Sequence, residues 1–155
     1  MIIAIGSDHR GVEMKTNLIG LLNKLDFQIH DVGAYDLQRV DYPDIALKVC
    51  QLVISGTCER GILICGTGLG MSIAANKIEG IRAALCNNVF LAKRSRQHNN
   101  SNILCLGAEK TLATERIVKA FLSTSFEGGH HQQRIDKISA IEALPTIHKP
   151  KNTQI

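Results

Sequence analysis

Residues 62–77 read ILICGTGLGMSIAANK. An apolar run ends in Cys65, a turn rich in glycine (Gly66, Gly68, Gly70) follows at once, and helical spacing takes over. A short apolar, β-branched run bounded by turn residues is the pattern of a strand. Strand, turn and helix in that order put Cys65 at the carboxyl tip of a strand. They also put the turn's backbone N–H groups at the start of a helix. Open α/β sheets bind ligands at the carboxyl ends of their strands, and free N–H groups at a helix start attract anions. A thiolate is stabilised in the same place. A thiol beside such a cradle suggests proton or acyl chemistry on a charged intermediate. The turn itself, GTGLG over residues 66–70, lacks the G-x-G-x-x-G spacing of a dinucleotide fold and the lysine of a Walker motif.

Outward from this stretch, strand and helix patterns alternate along the chain. Strand-like runs occupy residues 1–7, 27–32, 61–65, 81–86 and 102–106. Helical spacing occupies residues 12–25, 44–54, 70–77, 89–97, 111–123 and 132–144. This alternation predicts a three-layer, Rossmann-like α/β sandwich around a five-stranded parallel sheet. Residues 1–144 read as one domain. Pro145 ends the last helix, and residues 145–155 read as a mobile tail. The apolar positions of that last helix, Ile135, Ile138, Ile141 and Leu144, could pack on the chain's own sheet or on a second subunit.

Composition narrows the function. Aromatic residues make up 4% of the chain and there is no Trp, which argues against a base-stacking platform for nucleic acid. The net charge of +4 is spread along the chain and suits small anionic substrates as well as it suits any polymer. No nucleic-acid partner is expected. The five cysteines (Cys50, Cys58, Cys65, Cys86, Cys105) form no C-x-x-C pair, and their number is odd. That is the usage of a reduced cytoplasmic protein. No basic leader precedes an apolar segment, and no apolar run approaches the ~20 residues of a membrane helix, so no membrane is expected.

Three groups stand out as chemistry. Asp8 and His9 follow the first strand, Cys65 to Ser72 follow the third, and SRQHNN over residues 95–100 lies before the fifth. All three are expected on one edge of the sheet. Each has a plain reading beside the functional one. Cys65 could fill a buried strand, as Cys86 and Cys105 would. Asp8 could cap the first helix. His98 and Arg134 could be solvated surface residues. His130-His131 could suggest a metal, but adjacent histidines rarely converge on one ion and no H-E-x-x-H accompanies them.

Taken together, GSDHRG, DVG, DYPD, GILICGTGLGMSIAANKIEGIRAAL, SRQHNN and EGGHHQQRIDKI resemble the type B ribose-5-phosphate isomerases and their sugar-phosphate isomerase relatives. The resemblance runs in order to about residue 144. It implies interconversion of ribose 5-phosphate and ribulose 5-phosphate through an enediolate. On this resemblance Cys65 is the base, and Gly66, Gly68, Gly70 and Ser72 belong to the loop that stabilises the anion. Thr67 handles hydroxyl protons, His98 opens the ring, Asp8 stands at the other end of the sugar, and Asn99 lies beside it. Tyr42 lies near the sugar, and His9 and Arg134 match phosphate-binding positions. The resemblance further implies no metal or organic cofactor and a homodimer or homotetramer in which His98 and Cys65 of one site come from different chains.

Two departures qualify it. Where relatives carry Arg in a G-x-R pattern, this chain has Gly107-Ala108-Glu109, and where they carry R-H-Q it has His130-His131-Gln132. Arg10 or Lys137 could replace the missing phosphate contacts. Allose 6-phosphate and galactose 6-phosphate are the alternative substrates, with His98 favouring ribose or allose. A phosphosugar-binding module without catalysis is the alternative outside enzymes, opposed by the intact set of Cys65, Thr67 and His98.

Overall fold

The computed structural model describes residues 1–109 and 111–144. The expected tail, residues 145–155, and with it Pro145 as the end of the last helix, lies outside the described residues. The order of elements is β1 (Ile2–Ser7), α1 (Val12–Lys24), β2 (Gln28–Asp31), α2 (Tyr42–Ile54), β3 (Arg60–Cys65), α3 (Leu69–Ala75), β4 (Ala83–Leu85), α4 (Val89–Asn99), β5 (Ile103–Gly107), α5 (Thr114–Ser123) and α6 (His130–Glu142). The five strands are all parallel, in the order β2-β1-β3-β5-β4. The expected Rossmann-like α/β arrangement is the observed one.

Successive strand side chains point to opposite faces, and both faces are covered. Ile62 and Ile64 join Leu104 and Leu106 in a core with Leu18 and Leu22 of α1 and Phe121 of α5. Leu63 and Cys65 join Ile103 and Cys105 in a second core with Ile45 and Val49 of α2 and Met71 of α3. Two covered faces are the reason the run ILIC is apolar without alternation. The chain passes from β1 to β2 on one side and then crosses to β3 on the other. The carboxyl ends of β1 and β3 therefore flank the point where the winding reverses, which is where such sheets open a crevice.

Several element boundaries differ from the sequence reading, most of them by one or two residues. The α2 helix begins at Tyr42 rather than Asp44, because Pro43 stands in its first turn, where a missing N–H costs nothing. The α6 helix begins at His130 directly after Gly128 and Gly129, both at positive φ. The α5 helix starts at Thr114, three residues after the expected start. Of the four apolar positions named for the last helix, Ile135 is buried in the chain, whereas Ile138 and Ile141 of α6 and Leu144 beyond its end are exposed.

Beneath β2 lies a buried cation. Lys15 of α1 is only 2% exposed, and its Nζ donates to Asp31 Oδ1 at 2.5 Å. Removing Asp31 would strand that ammonium in the core. Asp31→Ala is therefore expected to cost about 3 kcal/mol, a fall in Tm of roughly 10 °C for a chain of this size. A thermal melt that leaves Tm within a degree or two of wild type would show that Lys15 finds another partner.

Candidate active site

At the switch point, Cys65 closes β3 and the loop of residues 66–68 leads into α3. Gly68 has φ +78°, a left-handed conformation that suits glycine. A Cβ there would also lie 2.5 Å from Leu85 Cδ1 and 2.9 Å from the Leu106 carbonyl carbon. This turn aims the Gly68 N–H back at Cys65, where it donates to Sγ at 3.2 Å. An N–H held on sulfur stabilises negative charge there. Thr67 is exposed, and its Oγ1 accepts the Leu69 N–H at 3.3 Å. The Ser72 N–H donates to the Gly68 carbonyl, the first bond of α3. The N–H groups of Gly70 and Met71 thus lie in the opening turn, where no helical carbonyl can reach them.

Tyr42, the first residue of α2, comes to this loop from outside. A Cβ at Gly70 would lie 2.8 Å from Tyr42 Cζ, so glycine there is what admits the ring. Asp8 and His9 arrive from the end of β1. The Asp8 N–H donates to the Ile64 carbonyl at 3.1 Å, tying the turn to β3. Its Oδ1 accepts the Arg10 N–H at 2.9 Å. Asp8 does not cap the first helix. Gly11 precedes α1, and no side chain caps it. His9 Nδ1 makes a long contact, 3.5 Å, with the Val40 N–H. The structure therefore brings Asp8, His9, Tyr42, Cys65, Gly66, Thr67, Gly68, Gly70 and Ser72 to one edge.

Two of the other cysteines are deep core thiols. Burial pushes the Cys50 thiol up to about 12. Burial also holds Cys105 well above the ordinary thiol range, with Cys50, Cys65 and Cys86 adding to it. These are inert core thiols near neutral pH.

His98 and Asn99 are not at this edge. The sequence reading put residues 95–100 with Asp8 and Cys65. In the structure α4 leaves the carboxyl end of β4 and runs back, so its last residues sit before the start of β5, at the opposite edge. Eleven helical residues carry the chain roughly 16 Å away. The crossover helix of a parallel sheet must run against its strands, and the expectation of one shared edge overlooked this.

That opposite edge holds a second cluster. His98 Nε2 lies 3.0 Å from Arg94 Nη1 and 3.7 Å from Glu127 Oε2. The His98 ring stacks on buried His131, centroids 4.1 Å apart and 14° from parallel, and His130 lies against His131 in turn. Burial keeps His131 below the ordinary imidazole range, helped by His130, His98 and Arg134 and opposed by Glu127. Arg134 is exposed on α6, within the same electrostatic neighbourhood. Arg96 is buried, with Nη1 donating to the Ser101 carbonyl at 2.5 Å, and it braces the end of α4. The roles of Arg94 and Glu127 escaped the sequence reading, although Arg94 and His98 stand at the i,i+4 spacing that makes neighbours on α4.

His98, Glu127 and His131 could in principle hold a metal, since one ligand atom from each lies within 4.8 Å of the others. Two features oppose it. Near-parallel rings do not converge their lone pairs on one point, and the Arg94 guanidinium already stands on His98 Nε2. Among the described residues no helix is long and apolar enough to cross a membrane.

The family model described as Ribose/Galactose Isomerase matches residues 3–138. The chain belongs to the ribose/galactose isomerase family. Ribose-5-phosphate isomerase B of Escherichia coli is 44% identical over 142 residues, 90% of this chain and 95% of its own length. The solved ribose-5-phosphate isomerase B of Clostridium thermocellum superposes with a TM-score of 0.89 at 49% identity, covering 92% of this chain and 97% of that one. The enzyme of Mycoplasma genitalium, solved with bound ribulose-5-phosphate, superposes with a TM-score of 0.86 at 43% identity, covering 91% and 95%. This ribose/galactose isomerase is thus an enzyme of the sugar-phosphate aldose–ketose isomerase class.

Proposed function

We infer that the chain interconverts ribose 5-phosphate and ribulose 5-phosphate, in a site completed by a second copy of itself. The observation that carries this reading is the Gly68 N–H on Cys65 Sγ at the sheet's switch point. The proton on C2 of an aldose is weakly acidic. Removing it needs a positioned base and donors aimed at the oxygen that becomes anionic. Cys65 takes the C2 proton, the electron pair forms the enediolate, and the same thiol returns the proton to C1. The loop carrying Gly66, Gly68 and Gly70 faces the developing oxyanion. Thr67 moves a proton between the two hydroxyl oxygens, and Ser72 borders the loop. Tyr42, against Gly70, flanks the sugar.

Ring opening comes first and needs an acid–base group at the ring oxygen. His98 fills that role from a second copy, with Asn99 beside it and Asp8 at the far end of the sugar. The two edges support this pairing, since within one chain α4 holds His98 away from Cys65. His9 on one copy and Arg134 on the other take the phosphate. No step calls for a metal or an organic cofactor. The M. genitalium relative, with its bound ribulose-5-phosphate, supports the five-carbon substrate.

Six-carbon phosphates are the rival substrates, and His98 favours allose over galactose among them. Rates on ribose 5-phosphate and allose 6-phosphate, measured side by side, decide between them. The expected result is faster turnover of ribose 5-phosphate. Turnover of allose 6-phosphate alone would keep the chemistry and change the substrate. No turnover of either would defeat the reading.

A further inference from the structure

Glu109 follows β5 at the same edge as Cys65, with the chain laced to the loop on both sides. The Ala108 N–H donates to the Cys65 carbonyl at 2.9 Å, and the Glu109 N–H donates to the Gly66 carbonyl at 3.0 Å. The Glu109 carboxylate, though partly open to water, has a partner. It pairs with Arg10, Oε1 to Nη2 at 3.1 Å, directly above Gly66. A Cβ at Gly66 would lie 2.8 Å from Glu109 Oε1, 3.2 Å from Arg10 Nη1 and 3.3 Å from Arg10 Cδ. The pair therefore roofs the loop. Glu109 lines a cavity of about 350 Å³ with Thr67 and Asn87, and Arg10 lines one of about 620 Å³ with Glu13 and Arg116.

Both partners are half open to water, 61% and 43% exposed, so the pair adds little to stability. Its consequence is electrostatic. A bare carboxylate over this loop would repel an anionic substrate at the mouth of the site. Arg10 neutralises it and has donors to spare. Glu109 engages Nη2, while Nη1 is the atom turned to Gly66. A guanidinium presents five N–H donors in a fork that matches carboxylate and phosphate alike. It can hold a carboxylate on one side and an oxyanion on the other. Tethering by Glu109 restricts Arg10 before substrate arrives, which reduces the ordering cost of binding.

We propose that Arg10, held over Gly66 by Glu109, is a phosphate-binding residue of this enzyme, standing where Glu109 itself provides no positive charge. This inference rests on the sugar-phosphate reading above. The role is binding rather than chemistry, because the Arg10 guanidinium lies against Gly66 and Glu109, whereas Cys65 Sγ takes the Gly68 N–H.

The test compares wild type, Arg10→Ala and Arg10→Ala/Glu109→Ala, each confirmed as folded by its Tm. KM and kcat are measured on ribose 5-phosphate, and binding of inorganic phosphate is measured by calorimetry. Arg10→Ala is expected to raise KM and the phosphate Kd about tenfold or more, with kcat within about twofold. The double variant is expected to recover part of that loss, since part of it is the exposure of Glu109. Unchanged KM and phosphate Kd in Arg10→Ala would overturn the proposal, as would a fall in kcat at constant KM. The two readings fail separately. A wild type without turnover defeats the substrate assignment, while phosphate binding that depends on Arg10 would leave this site standing.

Discussion

Cys65→Ala is expected to lose about 10²–10⁴-fold in kcat on ribose 5-phosphate, the usual contribution of a positioned general base, with KM little changed. The split follows from the geometry. Cys65 is 5% exposed and is held by the Gly68 N–H rather than presented as a binding group. On the proposed reading phosphate is gripped elsewhere, by residues the substitution leaves intact. The other four thiols, of Cys50, Cys58, Cys86 and Cys105, are all raised by burial and so are poor stand-ins near neutral pH. Cys65→Ser is the sharper variant. It keeps a hydrogen-bond acceptor of similar size for Gly68 but replaces the thiol by a much weaker acid, whose anion is scarce at neutral pH. It should be nearly as slow as the alanine variant. If Cys65→Ala kept more than about a tenth of wild-type kcat, proton transfer would belong to another group.

The second large effect concerns the division of the site between chains. His98→Ala and Cys65→Ala should each be almost inactive alone, since each removes one acid–base group from every site. Unfolded together in equal amounts and refolded, they should regain roughly a quarter of wild-type activity if the unit is a dimer. Half of such dimers are mixed, and one of the two sites in a mixed dimer has both groups intact. The structure supplies the reason to expect this. Cys65 lies at the carboxyl edge of the sheet, and α4 carries His98 to the amino edge. Absence of any recovery, with mixed oligomers shown to form, would mean that both groups act within one chain.

Exposed apolar side chains on α3 and α6 fit such an assembly. Leu69, Ile73, Ile138 and Ile141 are all open to water in the single chain. The sequence reading allowed Ile135, Ile138, Ile141 and Leu144 either their own sheet or a second subunit. The chain takes only Ile135 for itself.

Much of this was legible in the amino-acid sequence because it depends on local patterns. Runs such as ILIC and ILCLG announce strands, and the glycines after Cys65 announce the turn. Together they determined the alternating α/β order and the place of Cys65 beside an N–H-lined loop. Family motifs carried the remaining assignments of site residues. Tertiary structure decided what depends on direction and on distant pairing. It put His98 on the edge away from Cys65, since a crossover helix must return against its strands. It set Arg10 against Glu109 above Gly66, and stacked His98 on His131 beside Arg94 and Glu127. Side chains far apart in the chain meet only when the sheet brings the ends of β1, β3 and β5 together, and no local periodicity records such a meeting.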